Sequence, residues 1–466
     1  MLFFTNMRIK ALTLSFLFFT ALGTPFFSVY ASETVLQYSL VETRTPVLAT
    51  KNKTKKIKET RVASKKKVVL GKDFFSVKEG QLERIYDFKN RKVYYLDHRE
   101  KSAAEISLFA DPAFRLHELQ YRLKMMAAVE KAGGTVPEDL FTLESIFGIE
   151  SNLGSSTLSE DNSEKGKTKL LVNGKNVAEV SWSEKYPLPD KEMFSKFLIY
   201  DNSLHPVLRS KILGHSQIPD VIRSQLQNPD SKDQFVLILD GLKSQPDQGF
   251  QIPANYVTSK KLPGSIPEAE SIRQLIESVR LGKNKTPRYQ KVWFEERRRQ
   301  AESKKDYLDA ALIVLEYGFQ TGDQKTTSEV MSQLSTHQAE DAELDRFLRS
   351  LGVDGKEQAE RAVSELEKID RKKLSRAHVI DVFIANQLSV LGKNGEAEKR
   401  MLAALRINPY IAGAYKDLGD MFFADFDMAT AWLCWDFGRS QVPDHFMLKP
   451  ISDFEAELLK NMPEFF

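Results

Sequence analysis

Of the 466 residues only one, Cys434, is a cysteine, so no disulfide can form within the chain and stability has to come from packing. Set between Trp432 and Trp435, it reads as a small buried hydrophobe rather than a nucleophile. Histidine is scarce as well. The seven, at positions 98, 117, 205, 215, 337, 378 and 445, form no HExxH and no close pair at helical spacing, so no metal site is expected. GxSxG, GxxxxGK[ST] and GxGxxG are all absent, which speaks against hydrolase elbows, P-loops and dinucleotide folds and leaves no cofactor to expect. Beyond the N-terminal stretch no segment approaches about 18 uncharged apolar residues, the length a membrane helix needs.

That first stretch has the order of an export signal. MLFFTNMRIK carries Arg8 and Lys10, an uncharged apolar run follows from Ala11, Pro25 breaks it, and Val29-Tyr30-Ala31 supplies small residues for cleavage after Ala31. Residues 1–31 are therefore expected to be a signal peptide and the mature chain to be periplasmic or extracellular. An uncleaved anchor is the alternative, since Ala11–Ser32 could just span a bilayer. Lipid attachment is excluded because Cys434 is far from the cleavage position.

The formal charge of +3 is an average of unlike parts. Residues 41–72 hold eleven Lys or Arg against Glu42 and Glu59, a net of +9, and residues 73–466 carry −7. Few aromatics and dense like charge predict that 32–73 is a disordered basic linker, either a solvated spacer or a binder of an anionic membrane or wall surface through 41–72. It lacks the interleaved aromatics of a nucleic-acid partner site.

An α+β domain is expected over 74–260. LERIYDF (82–88), KVYYLDH (92–98) and AEISLF (104–109) read as an antiparallel meander, and Asn173-Gly174 as a type I′ hairpin turn. Residues 111–134 read as a helix with Phe114, Leu119, Leu123, Met126 and Val129 on one face. KEMFSKFLIYDN, HPVLRSKILG and IPDVIRSQL read as further helices, and FVLILDG (235–241) fits a buried strand or a buried helix. The strand, turn and strand around Tyr94-Tyr95-Leu96-Asp97 resembles exported bacterial domains built as a curved sheet, which implies shelter for a lipid or other apolar ligand. LESIFGIESNLGSS (143–156) resembles the segment around the catalytic acid of exported lytic transglycosylases. That likeness implies Glu150 as a general acid protonating a glycosidic oxygen, although the Gly- and Gln-rich segment that should line the sugar groove is missing.

The C-terminal part holds the most regular pattern. Tyr415, Leu418, Gly419, Phe422, Ala431, Trp435, Gly438 and Pro443 recur 34 residues earlier as Asp381, Ile384, Ala385, Leu388, Ala397, Met401, Ala404 and Pro409. This register resembles the tetratricopeptide repeat, a helical hairpin of about 34 residues whose small positions let its two helices approach. The resemblance implies two repeats over 378–446, degenerate hairpins over 261–377 and a capping helix over 447–466 with Ser452 and Glu455 as a capping box. It also implies a concave groove presenting Val382, Asn386, Ser389, Lys416, Asp420 and Phe423 to a protein partner, unless the repeats pack on the chain's own α+β domain. An antiparallel-sheet domain followed by an all-α solenoid, acting as a non-catalytic envelope scaffold, is the resulting expectation, with an apolar-ligand carrier and a transglycosylase as its alternatives.

Overall fold

In a computed structural model, the residues described are 32–46, 60–134, 136, 139–151, 157–202, 204–227, 231–259, 262, 265–352 and 355–466, so the expected signal peptide lies outside them. Twelve strands form one sheet: β1 (Ser32–Pro46), β2 (Thr60–Leu70), β3 (Phe74–Glu79), β4 (Leu82–Asp87), β5 (Lys92–Asp97), β6 (Ser102–Ser107), β7 (Leu158–Asp161), β8 (Lys167–Val172), β9 (Lys175–Pro187), β10 (Gln217–Gln227), β11 (Ser231–Pro246) and β12 (Val257–Thr258). Their order is β12-β6-β5-β4-β3-β2-β1-β11-β10-β9-β8-β7. Two antiparallel meanders thus meet at β1, which pairs with β2 on one side and with β11 along its whole length on the other. Only β12, beside β6, is parallel. The β8–β9 hairpin turns on Asn173 and Gly174, whose φ values of 48° and 76° are the positive pair a type I′ turn requires.

Two sequence expectations are corrected here. The basic segment expected to be a disordered linker contributes β1 and β2, and 47–59 lie outside the described residues. Charge density concealed strand alternation: Leu36, Tyr38, Val68 and Leu70 point inward, while Lys65 and Lys67 point out. Ile218–Leu226, expected to be a helix because Ile218, Val221, Ile222 and Leu226 fit a helical spacing, forms β10, where pairing with β9 and β11 decides the conformation. FVLILDG lies in β11.

Four helices accompany the sheet: α1 (Ala110–Lys131), α2 (Leu140–Phe147), α3 (Lys191–Asp201) and α4 (Pro206–Gly214). The cross-strand register places Leu40, Val68, Phe75, Tyr86 and Val93 on one face. On that inner face α3 packs its aromatic side, Phe197 against Tyr38 and Phe75, and Tyr200 against Tyr86 at 4.7 Å between ring centres. On the opposite face Phe74, Ile85 and Leu96 are covered by Phe250 and Tyr256.

The remaining chain is helical: α5 (Pro267–Arg280), α6 (Lys291–Ser303), α7 (Tyr307–Thr321), α8 (Gln324–Ser335), α9 (Ala342–Arg349), α10 (Lys356–Glu367), α11 (His378–Val390), α12 (Asn394–Ile407), α13 (Ala412–Ala424), α14 (Met428–Gln441) and α15 (Lys449–Asn461). The hairpins α11–α12 and α13–α14 start 34 residues apart. Gly419 is what lets α13 meet α14: a Cβ there would stand 2.3 Å from Trp435 Nε1 and 3.0 Å from the Ala431 carbonyl oxygen. A buried polar knot ties the stack together. Glu316 on α7 is fully buried, with Oε1 2.9 Å from His378 Nε2 and 2.7 Å from Asn408 Nδ2, and Arg376 lies 2.8 Å from Oε2 while stacking over Trp293. Ser452 sits inside α15 rather than at its start, and Glu455 accepts from Trp432 Nε1 and Arg439, so the expected capping box is absent.

The sheet and the helices share one continuous apolar core. Trp432 stacks on Phe109, Phe466 lies 5.1 Å from the same ring, and Tyr200 Oη donates to the Phe465 carbonyl at 2.9 Å. Phe465 is wholly buried. Phe465→Ala should therefore cost about 3–5 kcal/mol in denaturant unfolding, because it opens a cavity where the two parts join. A pH dependence follows from Glu398 on α12, which is 1% exposed. Burial, together with the carboxylates of Asp425, Glu268 and Asp427, pushes its pKa from 4.5 up to about 7. The folded chain then holds a proton that the unfolded chain has released, so this group lowers stability progressively as pH rises from 4.5 to about 7, and not further above that. Glu398→Gln should remove this slope and gain on the order of 2–3 kcal/mol above pH ~7, as read from urea midpoints across pH.

Candidate functional site

The six residues expected to face a partner groove are largely spent inside the chain. Val382 is buried. Asn386 Nδ2 donates to Asp417 Oδ2 at 2.9 Å, and Lys416 pairs with Asp420, which also accepts from Trp435 Nε1 at 3.2 Å. Phe423 packs among Trp432, Trp435 and Phe454, with His117 of α1 against it. Ser389 is half-buried on α11. These contacts place α1 of the sheet part directly against the α13–α14 hairpin.

Glu150, the residue expected from the transglycosylase likeness, is exposed and lies past the left-handed cap Gly148 that ends α2. It has no apolar enclosure of the kind that raises a general acid. The buried carboxylate nearby is Glu144, one helical stretch earlier. Its Oε1 accepts from Ser151 N and Oγ, both at 2.7 Å, and its Oε2 lies 2.9 Å from His205 Nε2. Burial alone would raise this carboxyl, but the His205 and Ser151 contacts outweigh it and hold Glu144 below the usual glutamate value. Phe141 stacks on the His205 ring at 4.4 Å, so the arrangement locks α2 to α4.

A concave surface of the inner face runs along β3–β6. Register aligns Val77, Arg84, Tyr95 and Ala104 across four strands, and the next inward row is Glu79, Leu82, Asp97 and Ser102. These two rows floor a cavity of about 570 Å³ walled by Leu262. A second cavity, of about 610 Å³, continues from Tyr95 and Leu262 toward Ile106, Ile266 and the α13–α14 turn, where Phe422 and Phe426 line it. Tyr95 and Leu262 belong to both, so the two form one groove along the seam between sheet and helices. Each lies in the size range of small-molecule sites. Burial pushes the Tyr95 phenol up, so it stays neutral and serves as an amphipathic wall.

Two features of the groove are costly. Phe426 adopts φ +63°, a left-handed conformation that a bulky side chain rarely takes. Its ring stands edge-on to Phe114 at 6.4 Å and Tyr121 at 5.8 Å, and lies 4.8 Å from His117. The exposed residues Phe114, Tyr121 and Met125 extend this apolar surface along one stripe of α1. At the other end, the fully buried carboxylate of Asp201 pairs with both Lys66 and Arg84. Two cations share one carboxylate there. Lys66 is almost wholly buried whereas Arg84 is one third exposed, so the surplus charge looks out into the groove beside Glu79.

Sequence reasoning singled out Tyr95 but missed Val77, Leu82, Arg84, Ala104 and Phe426. The first four show only as strand alternation, and nothing local tells that β3–β6 and the α13–α14 turn meet. Among the described residues no group of three or more His, Cys, Asp or Glu could hold a metal ion, and no helix is long and apolar enough to cross a membrane.

No protein-family model and no curated protein matches the chain. Among solved structures it is similar to one described as showing lipid–protein interactions in lipovitellin, at 10% identity and a TM-score of 0.20. The similarity covers 83% of this chain and 48% of that one, so this chain spans about half the length of the structure it matches.

Proposed function

We propose that the protein binds the apolar chain of an amphipathic ligand in the groove between the inner sheet face and the α13–α14 turn. The observation that carries this reading is the groove itself: two adjoining cavities of about 570 and 610 Å³ with Val77, Leu82, Tyr95, Leu262, Phe422 and Phe426 along their walls. Two local costs at that place support it. Leu82 leaves 56% of its surface exposed, and Phe426 holds a strained backbone that a glycine would take freely. The exposed leucine is accounted for if an apolar ligand covers it, since burying a leucine-sized surface contributes about 1.5–3 kcal/mol. The Arg84 end, flanked by Glu79 and Asp97, suits an uncharged polar head better than a bare anion. The stripe Phe114, Tyr121 and Met125 gives such a ligand an apolar surface outside the groove. On this reading the helical stack is a wall of the site and no covalent chemistry is involved.

Titration with a fluorescent monoacylglycerol should show saturable binding to the full chain. Leu82→Lys changes an exposed position and should weaken that binding about tenfold without altering the unfolding midpoint. Phe426→Gly should weaken it comparably while leaving the fold intact, because relief of the left-handed strain offsets lost ring contacts. Absence of saturable binding, or wild-type affinity in both variants, would contradict the proposal.

A further inference from the structure

A second, smaller cavity of about 280 Å³ lies between β6, the segment around Ile252–Thr258 that carries the edge strand β12, and helices α5 and α14. Its distinctive wall is Arg273. On α5 the buried stripe is Ala269, Ile272, Arg273 and Ile276, so an arginine occupies a position that helical spacing reserves for the core. Arg273 is only 8% exposed, yet no hydrogen-bond or ion-pair partner is found for its guanidinium among the described residues.

The neighbouring carboxylates are engaged elsewhere. Asp427 attracts Arg273 from beyond ion-pair distance but spends Oδ1 on the Thr430 amide at the start of α14. Glu105 pairs with Lys92 at 2.9 Å, and Asp436 pairs with Arg439 and lies 3.8 Å from Lys92. Glu277 is the exception: it lines the cavity one turn on from Arg273 and is approached by Thr258 Oγ1 at 3.5 Å. Arg280, two turns along α5, adds a further cation at the cavity, 5.8 Å over the Phe437 ring. Burial pulls the Arg273 guanidinium down from its ordinary value, and the attraction of Asp427 offsets this only in part. A buried, unpaired guanidinium is a large cost in an unliganded fold, and its five fixed donors match two oxygens of one oxyanion.

We infer that this cavity is a binding site for a small molecule carrying a carboxylate or phosphate, with Arg273 as its fork-like anchor. Ile252, Ile276 and Leu433 leave room beside the fork for an apolar body. The site adjoins the acyl groove, sharing Ala104 with one of its cavities and Ile106 with the other.

Calorimetric titration of the full chain with benzoate and with inorganic phosphate, at constant ionic strength, tests this. The wild type should bind at least one of the two, and which one binds tells a carboxylate from a phosphate ligand. Arg273→Met should lose at least tenfold in affinity and, without ligand, unfold at a higher denaturant concentration than the wild type because the unpaired buried cation is gone. Leu82→Lys should keep the anion affinity. Binding of neither anion to the wild type, undiminished binding to Arg273→Met, or a lower midpoint for that variant would overturn the inference.

Discussion

The pairing of β1 with both β2 and β11 is the constraint on which the rest of the structure depends. Residues 32–46 join two meanders that the chain otherwise keeps apart, and they do so by pairing with 231–246, some two hundred positions later. Without β1 the order of strands would break into two sheets, each with a long unpaired edge, and neither could support α3 across its inner face. Tyr38 of β1 and Phe75 of β3 both pack on Phe197 of α3, which ties β1 to the first meander. Lys66 on β2 and Arg84 on β4 then meet at Asp201, so the buried charge of α3 fixes its end over the same strands.

From this frame the groove follows geometrically. The helix α3 packs on Tyr38, Phe75 and Tyr86 and ends at Asp201 beside Arg84, and β3–β6 continue beyond it. The helical stack reaches that uncovered surface from the side, held by Trp432 on Phe109 and by Phe465 beneath Tyr200. A sheet whose inner face is only partly roofed leaves a trough. Two mixed rows floor it, with Val77, Leu82, Tyr95 and Ala104 supplying the apolar surface, and the strained Phe426 lines the far end. The costs at this seam, an exposed Leu82 and a left-handed Phe426, are the kind that persist where function rather than stability sets the residue.

Much of the fold class was legible because its signals are local. The strands β4 to β6 show short β-branched and aromatic runs between polar turns, Asn173-Gly174 names its turn, and the small residues Ala385, Gly419, Ala397 and Ala431 mark where helices touch. Two things were not legible. The lysines of 60–70 conceal a strand because only one lysine, Lys66, faces inward, and its partner Asp201 lies far along the chain. Ile218–Leu226 satisfies both helical and strand spacing, and only its neighbours β9 and β11 decide between them. The candidate site was less legible still: Tyr95 could be marked from its aromatic run, but Leu82, Ala104 and Phe426 become a wall only when register and docking are known. The six residues picked from the repeat pattern show the converse. Their spacing is real, and the chain uses it for contacts within the stack and with α1.

Hydrogen–deuterium exchange of the full chain, with and without a monoacylglycerol, tests the central claim most directly, because it reads the β1 join and the groove in one measurement. The account predicts that amides of Ser32–Pro46 exchange only with global unfolding, and that the ligand slows exchange along β3–β6 and at the α13–α14 turn. Exchange of 32–46 at the rate of an unstructured peptide would contradict the join, and a ligand that leaves the inner-face amides unchanged would contradict the groove.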